Sequence, residues 1–392
     1  MKFNWIRLTW IKGLLLGVLL LPLAYFSFEY FSDYSWIIIL SATFTYLLYI
    51  GVKTKTLALK ILLFNISAFV FALFVYESFL CLTMPSQTIS SSLQMTGDNG
   101  KTNYDAAHPD LGYAINRNGV ISTKRIINDE VIYKVSYTLK DGLRHTPNSN
   151  DTSRNCVLFF GGSFTFGDGL SDSATLPFYF NHFEKQKYHV LNYGYHGYGP
   201  HQMLSQIETR VADDIQGCSE ENIAIYSFAS FHIKRAAGRA IWDQNGPRYE
   251  LINGELIRAG KFPNIPRKVG MISQSYIFNR LFFDKKPSHY DLNRALAIIK
   301  KSNELLLQYN VILYVFIWDY YPIREMDYFL EELKKNNIKT FFVTNAITDI
   351  RQKRKLYALH DHDSHPNALA NEKIARYLHL QIYDTVQTIK DR

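Results

Sequence analysis

Cysteine is scarce: Cys81, Cys156 and Cys218 are the only three in 392 residues. That excludes a disulfide-stapled miniprotein, and a chain this long can build its own core. No repeat recurs at a 20–50-residue period, so solenoids and propellers are excluded too. Charge is modest and nearly balanced, with 43 Lys and Arg against 35 Asp and Glu. The formal +8 leaves nucleic acid, a membrane surface or a topology signal as its meaning, and the positions of the charges decide. Disorder is excluded by what the chain does have, a 15% aromatic content that must be buried.

Charge is rarest in residues 1–84, which hold three apolar stretches, roughly Gly13–Phe28, Tyr34–Val52 and Ile61–Met84. Each approaches the ~20 residues that cross a bilayer. Lys2, Arg7 and Lys12 precede the first stretch, and Lys53, Lys55 and Lys60 surround the second connection. The three acids, Glu29, Asp33 and Glu77, fall on the other side. Because cytoplasmic loops collect Lys and Arg, this pattern predicts a three-helix anchor with its N-terminus inside and the remainder outside. Trp5, Trp10 and Trp36 suit the interfacial aromatic belt. Three of the eight net positive charges are therefore a topology code. The basic run Arg351-Gln-Lys-Arg-Lys355 is too short for a nucleic-acid footprint, and no nucleic-acid partner is expected.

Residues 85–103 are rich in Ser, Thr, Gly and Asn and read as a linker. Residues 104–150 read as a small β preface, with a β-favouring run at Val131–Leu139. From 151 to 392 continuous apolar strands alternate with amphipathic helices, the mark of a parallel α/β sheet. The expected strands are Cys156–Phe160, His189–Asn192, Ile223–Phe228, Val311–Trp318 and Ile338–Val343. Helices are expected at Leu292–Tyr309 behind an Asp291 cap, at Arg324–Lys335, and at Ala368–Val386 behind Pro366-Asn367. An insertion at 232–290 carries a hairpin signal, Tyr249–Arg258 around Asn253-Gly254. Outside the cytoplasm, a Cys156–Cys218 disulfide is open to the chain.

Three segments have the chemistry of a site. Phe159-Phe-Gly-Gly-Ser-Phe-Thr-Phe-Gly-Asp-Gly169 places Ser163 on a glycine-flanked turn after the first strand, exposed and close to backbone N–H groups. It is neither a G-x-S-x-G elbow, since Thr165 stands at +2, nor a P-loop, since it lacks the lysine. His360-Asp-His-Asp-Ser-His-Pro-Asn367 offers His365 as a general base with Asp363 to orient it. The same cluster permits a metal, but no second group has ligand spacing, so no metal or organic cofactor is expected. Val190-Leu-Asn-Tyr-Gly-Tyr-His-Gly197 offers a glycine N–H close to the sheet edge. Loops of this kind converge at the carboxyl end of a parallel sheet.

Together these segments resemble the SGNH (GDSL-type) hydrolase superfamily over about residues 150–388. Gly161-Gly162-Ser163 through Gly169 matches the first block, with Gly162 where the family has Asp. Asn192 and Gly197 match the second, and Asp363-Ser364-His365-Pro366 approximates the last, with the acid two residues before His rather than three. The third block departs: Phe228-Ala-Ser-Phe-His-Ile-Lys-Arg235 has no Asn, so Ser230 or His232 substitutes or the oxyanion hole has two donors.

The resemblance implies a three-layer α/β/α flavodoxin-like sheet and a Ser163–His365–Asp363 triad. Asp361 is a second candidate for the orienting acid, and the N–H groups of Ser163 and Gly197 would bind the oxyanion. The activity implied is that of a serine esterase on the extracytoplasmic side of the cytoplasmic membrane. Its substrate would be an acyl ester, O-acetyl included, on an envelope glycan or lipid. An O-acyltransferase with the same triad and a catalytically weak scaffold are the alternatives.

Overall fold

The computed structural model describes residues 35–83, 91–97, 104–127, 129–240, 242, 243, 245–263, 275–278 and 286–390. They fall into two compact units. One contains the described parts of Met1–Ile89 and Ile265–Lys286, the other those of Ser90–Asn264 and Pro287–Arg392.

The first unit is built on helices α1 (Ser35–Lys53) and α2 (Leu57–Thr83), both long and apolar enough to span a membrane. Among the described residues two such helices are present against the expected three, and the stretch Gly13–Phe28 lies outside the described residues. Much of their apolar surface is uncovered: Leu57, Phe69 and Leu82 are among the exposed side chains. Glu77 is buried in α2, as are Ser67 and Leu80. Its buried carboxylate accepts the N–H groups of Tyr276 and Ile277 at 2.7 and 2.9 Å, and so caps the helical turn Tyr276–Phe278. An acid is tolerated on this apolar helix because those donors satisfy it. Part of the segment expected as a catalytic-domain insertion thus belongs to the helical unit.

The second unit opens with β1 (Ser91–Gly97), the hairpin β2 (Asp105–His108) and β3 (Gly112–Ile115), then β4 (Gly119–Ile127), β5 (Glu130–Lys140) and β6 (Leu143–Arg144). An antiparallel sheet runs in the order β1-β4-β5-β6. The main sheet uses β7 (Cys156–Phe160), β8 (His189–Asn192), β9 (Asn222–Phe228), β12 (Val311–Ile317) and β13 (Lys339–Phe342), in the order β13-β12-β9-β7-β8. All four pairings are parallel. The hairpin β10 (Pro247–Ile252) and β11 (Glu255–Lys261) turns at Asn253-Gly254, both with positive φ as a type I′ turn requires.

Every residue of β7 and β9 is buried, because side chains alternate between two covered faces. Leu158, Phe160, Ala224 and Tyr226 enter one core with Leu292 and Leu296. Val157, Phe159, Ile223 and Ile225 enter the other with Phe180, Ile374 and Leu378. The helices supplying these partners are α4 (Leu176–Phe183), α7 (His289–Gln308) and α9 (Ala368–Lys390), and α8 (Met326–Lys335) adds Phe329 and Leu333 to the first core. Helix α7 is capped by Ser288 rather than Asp291. Asp291 sits three residues in and its carboxylate accepts the Ser288 N–H at 2.7 Å, while the Asp291 N–H donates to Ser288 Oγ, a reciprocal capping box. Cys156 and Cys218 form a disulfide at the start of β7.

The preface is not a separate layer. Tyr104, Ile121, Tyr137 and Leu139 share one core with Phe166, Tyr195 and Tyr198 of the turns that follow β7 and β8.

Candidate active site

Strand order reverses about β7, whose neighbours are β8 and β9, and such a switch opens a crevice at the carboxyl ends. Each expected block leaves the sheet there. Ser163 begins the single-turn helix α3 (Ser163–Phe166) two residues beyond β7. Gly197 follows β8, and helix α5 (Pro200–Gln206) starts just after it. His232 lies in α6 (Phe231–Ala236), directly after β9. His365 and Asp363 lie on a short antiparallel hairpin, β14 (Ala358–His360) and β15 (Asp363–Pro366), where a plain loop was expected. Asn367 then caps α9 through the Ala370 N–H at 3.0 Å.

Ser163 Oγ lies 2.8 Å from His365 Nε2, and His365 Nδ1 lies 2.5 Å from Asp363 Oδ1. The His365 backbone N–H also donates to Asp363. Burial pushes the Asp363 carboxyl up, but the hydrogen bond and charge of His365, with Arg125 behind, bring it below its ordinary value. Asp363 is therefore an ionised acceptor of the Nδ1–H hydrogen bond, which leaves Nε2 to accept from the serine. The Phe164 ring meets the His365 ring edge-on at 5.3 Å. Asp361 is not brought to His365: it is half exposed and pairs with Lys355 at 2.6 Å. The two-residue Asp-to-His spacing works because Asp363 and His365 are alternate residues of one strand.

Where the resembled family has Asn after its third strand, this chain brings His232 beside Ser163. His232 Nδ1 receives the Ala229 N–H at 3.4 Å and the Tyr226 hydroxyl at 3.0 Å, which leaves the proton on Nε2. Burial first, and then the nearby Arg235, hold this imidazole well below its ordinary pKa, so it is neutral. A pocket of about 10 Å³ adjoins Ser163 and is lined by Gly162, His232, Arg235, Phe164, Phe231 and Trp318. A Cβ on Gly162 would stand 2.8 Å from Arg235 Nη1 and 3.4 Å from His232 Nε2. The position where the resembled family has Asp is thus already filled by these two donors. Ser230 does not line this pocket.

On the other side of Ser163 an open cleft of about 670 Å³ runs past His365, Gly197, Tyr113, His196 and Trp242. Gly197 has φ of +72°, and a Cβ there would collide with the Trp242 indole.

Sequence reasoning missed the preface residues. Arg125 on β4 bonds Asp363 Oδ2 at 3.3 Å. Arg144 on β6 is buried and donates to the carbonyls of Phe166, Gly167 and Leu170 at 2.5–2.8 Å and to Asp172, fixing the turn behind the serine. Tyr104 bonds His196, whose Nδ1 bonds Asp168 at 2.6 Å. Asp168 was within the quoted glycine motif without being singled out. Among the described residues no three His, Cys, Asp or Glu side chains converge as a metal-binding group. No protein-family model matches the chain, and no curated protein sequence matches it either.

Proposed function

We propose that the chain is a membrane-anchored serine esterase of the SGNH type that removes short acyl groups, acetyl above all, on the extracytoplasmic side. The observation that carries this reading is the line Ser163 Oγ–His365 Nε2–His365 Nδ1–Asp363, with contacts of 2.8 and 2.5 Å. Nucleophile, base and orienting acid in hydrogen-bond sequence are what acyl transfer to serine needs. Counting β7 as first, the parallel strands run 2-1-3-4-5, the flavodoxin-like order expected from the resemblance.

In the mechanism, His365 Nε2 takes the Ser163 proton while Oγ bonds to the acyl carbon. The carbonyl electrons move onto oxygen, which receives the N–H groups of Ser163 and Gly197 and the His232 Nε2–H. The intermediate collapses, the C–O bond to the alcohol breaks, and His365 returns the proton to that oxygen. Water repeats the sequence on the acyl-enzyme and frees the acid. A pocket of about 10 Å³ holds little more than one water, which favours an acetyl methyl over a longer chain. Transfer to a second hydroxyl would use the same residues, and the open cleft gives it room.

The exposed apolar faces of α1 and α2 support membrane anchoring. The Cys156–Cys218 disulfide fits an oxidising compartment. The test uses the full chain in detergent, a fluorophosphonate probe and p-nitrophenyl acetate. Labelling and hydrolysis are expected, both abolished in Ser163→Ala. Equal hydrolysis by wild type and Ser163→Ala overturns the assignment.

A further inference from the structure

The triad does not use Asp168, although its carboxylate is in the cleft with Ser163 and His365. It follows α3 between Gly167 and Gly169, both left-handed, and its side chain is 14% exposed. His196 Nδ1 holds Oδ2 at 2.6 Å, and the Tyr104 hydroxyl holds the far side of that imidazole. Burial opposes ionisation, but the charge and hydrogen bond of His196, then His365 and Arg144, keep Asp168 below the ordinary carboxylate range. Oδ2 is also 3.8 Å from His365 Nε2. Once Ser163 is acylated and no longer donates to Nε2, the cleft presents two hydrogen-bond acceptors side by side.

Two acceptors at this spacing suit a vicinal diol better than a lone alcohol. One hydroxyl is the reacting one. It exchanges its proton with His365 Nε2 as its bond to the acyl carbon forms or breaks. Its neighbour on the next carbon donates to Asp168. The rest of the cleft points to the same class of molecule. Among the described residues no Leu, Ile, Val, Met or Phe side chain lines it, so a lipid tail would find little to bury against. Polar groups line most of it, with the aromatic rings of Tyr113 and Trp242. Trp242 is 58% exposed there, its indole N–H directed at the Gly197 carbonyl and the Arg235 guanidinium 5.7 Å from its ring. That exposure is not looseness, because the adjoining Asp243 is fully buried against His201 and Gln202 at 2.5 and 2.8 Å. A fixed, uncovered Trp beside hydrogen-bonding groups suits a ligand with an apolar face and a polar rim.

We propose that the cleft is a sugar-binding subsite, in which Asp168 takes the hydroxyl adjacent to the acylated one and Trp242 takes the face of the ring. This rests on the serine-esterase reading above. The test compares kcat/KM of the full chain in detergent for a mono-O-acetyl methyl glucoside, with a free neighbouring hydroxyl, and for cyclohexyl acetate. The wild-type ratio is expected to favour the sugar by at least about tenfold. Asp168→Asn, which keeps the side-chain shape, and Trp242→Ala at an exposed position should each lower that ratio severalfold. Unfolding curves of both variants establish that they fold. A wild-type ratio near one, a preference for p-nitrophenyl palmitate, or a ratio unmoved in both folded variants overturns the subsite. If Ser163 is labelled and p-nitrophenyl acetate is hydrolysed while the sugar ratio is flat, only the subsite fails. If neither labelling nor hydrolysis occurs, the esterase reading fails with it.

Discussion

His232 allows the sharpest test of the oxyanion site, because its role depends on one proton being on one nitrogen. Replacing His232 by Leu removes the Nε2–H beside Ser163 and leaves the Ser163 and Gly197 N–H groups as the remaining donors. In the native protein that donor is buried and neutral, and Tyr226 and Ala229 fix its orientation through Nδ1. It needs no reorganisation as charge develops on the carbonyl oxygen. The full effect of a preorganised donor is then expected, a fall of about 10²–10³ in kcat, or about 2.7–4 kcal/mol. KM should move little, since the interaction strengthens only in the transition state. The assay is steady-state hydrolysis of p-nitrophenyl acetate by the full chain in detergent. Because burial and Arg235 keep the imidazole neutral, the ratio of wild type to variant should stay flat between about pH 6 and 9. His232→Gln restores an N–H and should recover part of the loss. A folded His232→Leu variant that keeps kcat within about threefold, or loses only KM, refutes the reasoning.

Three further outcomes follow from the same contacts. Arg144→Met leaves three carbonyls and Asp172 without their buried donor, and should cost about 3–5 kcal/mol of stability in a denaturant titration; an unchanged midpoint would contradict the anchoring role. The Cys156–Cys218 bridge joins residues 62 apart, so its loss in the double Ala variant should lower stability by about 4 kcal/mol by loop entropy. Equal midpoints for variant and wild type would count against it. Asp363 and Asp168 both have folded pKa values below their ordinary ones. The stability they contribute is full above the unfolded carboxylate pKa of about 3.9 and is lost as pH falls through the lowered folded values. Unfolding temperature should accordingly hold steady down to about pH 5 and then drop. Asp363→Asn should flatten part of that acid slope and lower kcat/KM by about 10⁴, because the amide no longer enforces the Nδ1–H tautomer.

The parallel sheet was legible because its signal is local. Cys156–Phe160 is an uninterrupted apolar run and His189–Asn192 an apolar pair between polar ends; both lead into glycine-rich turns, and the strands match those limits. The hairpin at Asn253-Gly254 follows from turn chemistry over two residues. Ser163, Asp363 and His365 were legible for a similar reason, since each is marked by its immediate neighbours. Asp361 and Asp363 could be ranked only by the hairpin: alternation along β15 puts residue 363 on the same face as 365, while 361 lies in the turn before that strand and pairs with Lys355. Asp291 was misplaced as a cap because Ser288 stands three residues ahead of it and the two side chains exchange hydrogen bonds.

The unread part of the site has a common cause in chain separation. Arg125 meets Asp363 across 238 positions, and Tyr104 meets His196 across 92. Read from sequence, Arg125 and Arg144 are single basic residues in a polar β segment, where a basic side chain is ordinarily solvated. What distinguishes them is the loss of water around them. Arg144 is 1% exposed and Asp363 is 3% exposed, and a buried charge persists only where partners meet it. The preface strands bring those partners, so residues 104–150 do for the turn and acid of the site what the parallel sheet does for the serine. The Asp363 charge, the backbone behind Ser163 and the Asp168–His196 pair are all held from that side.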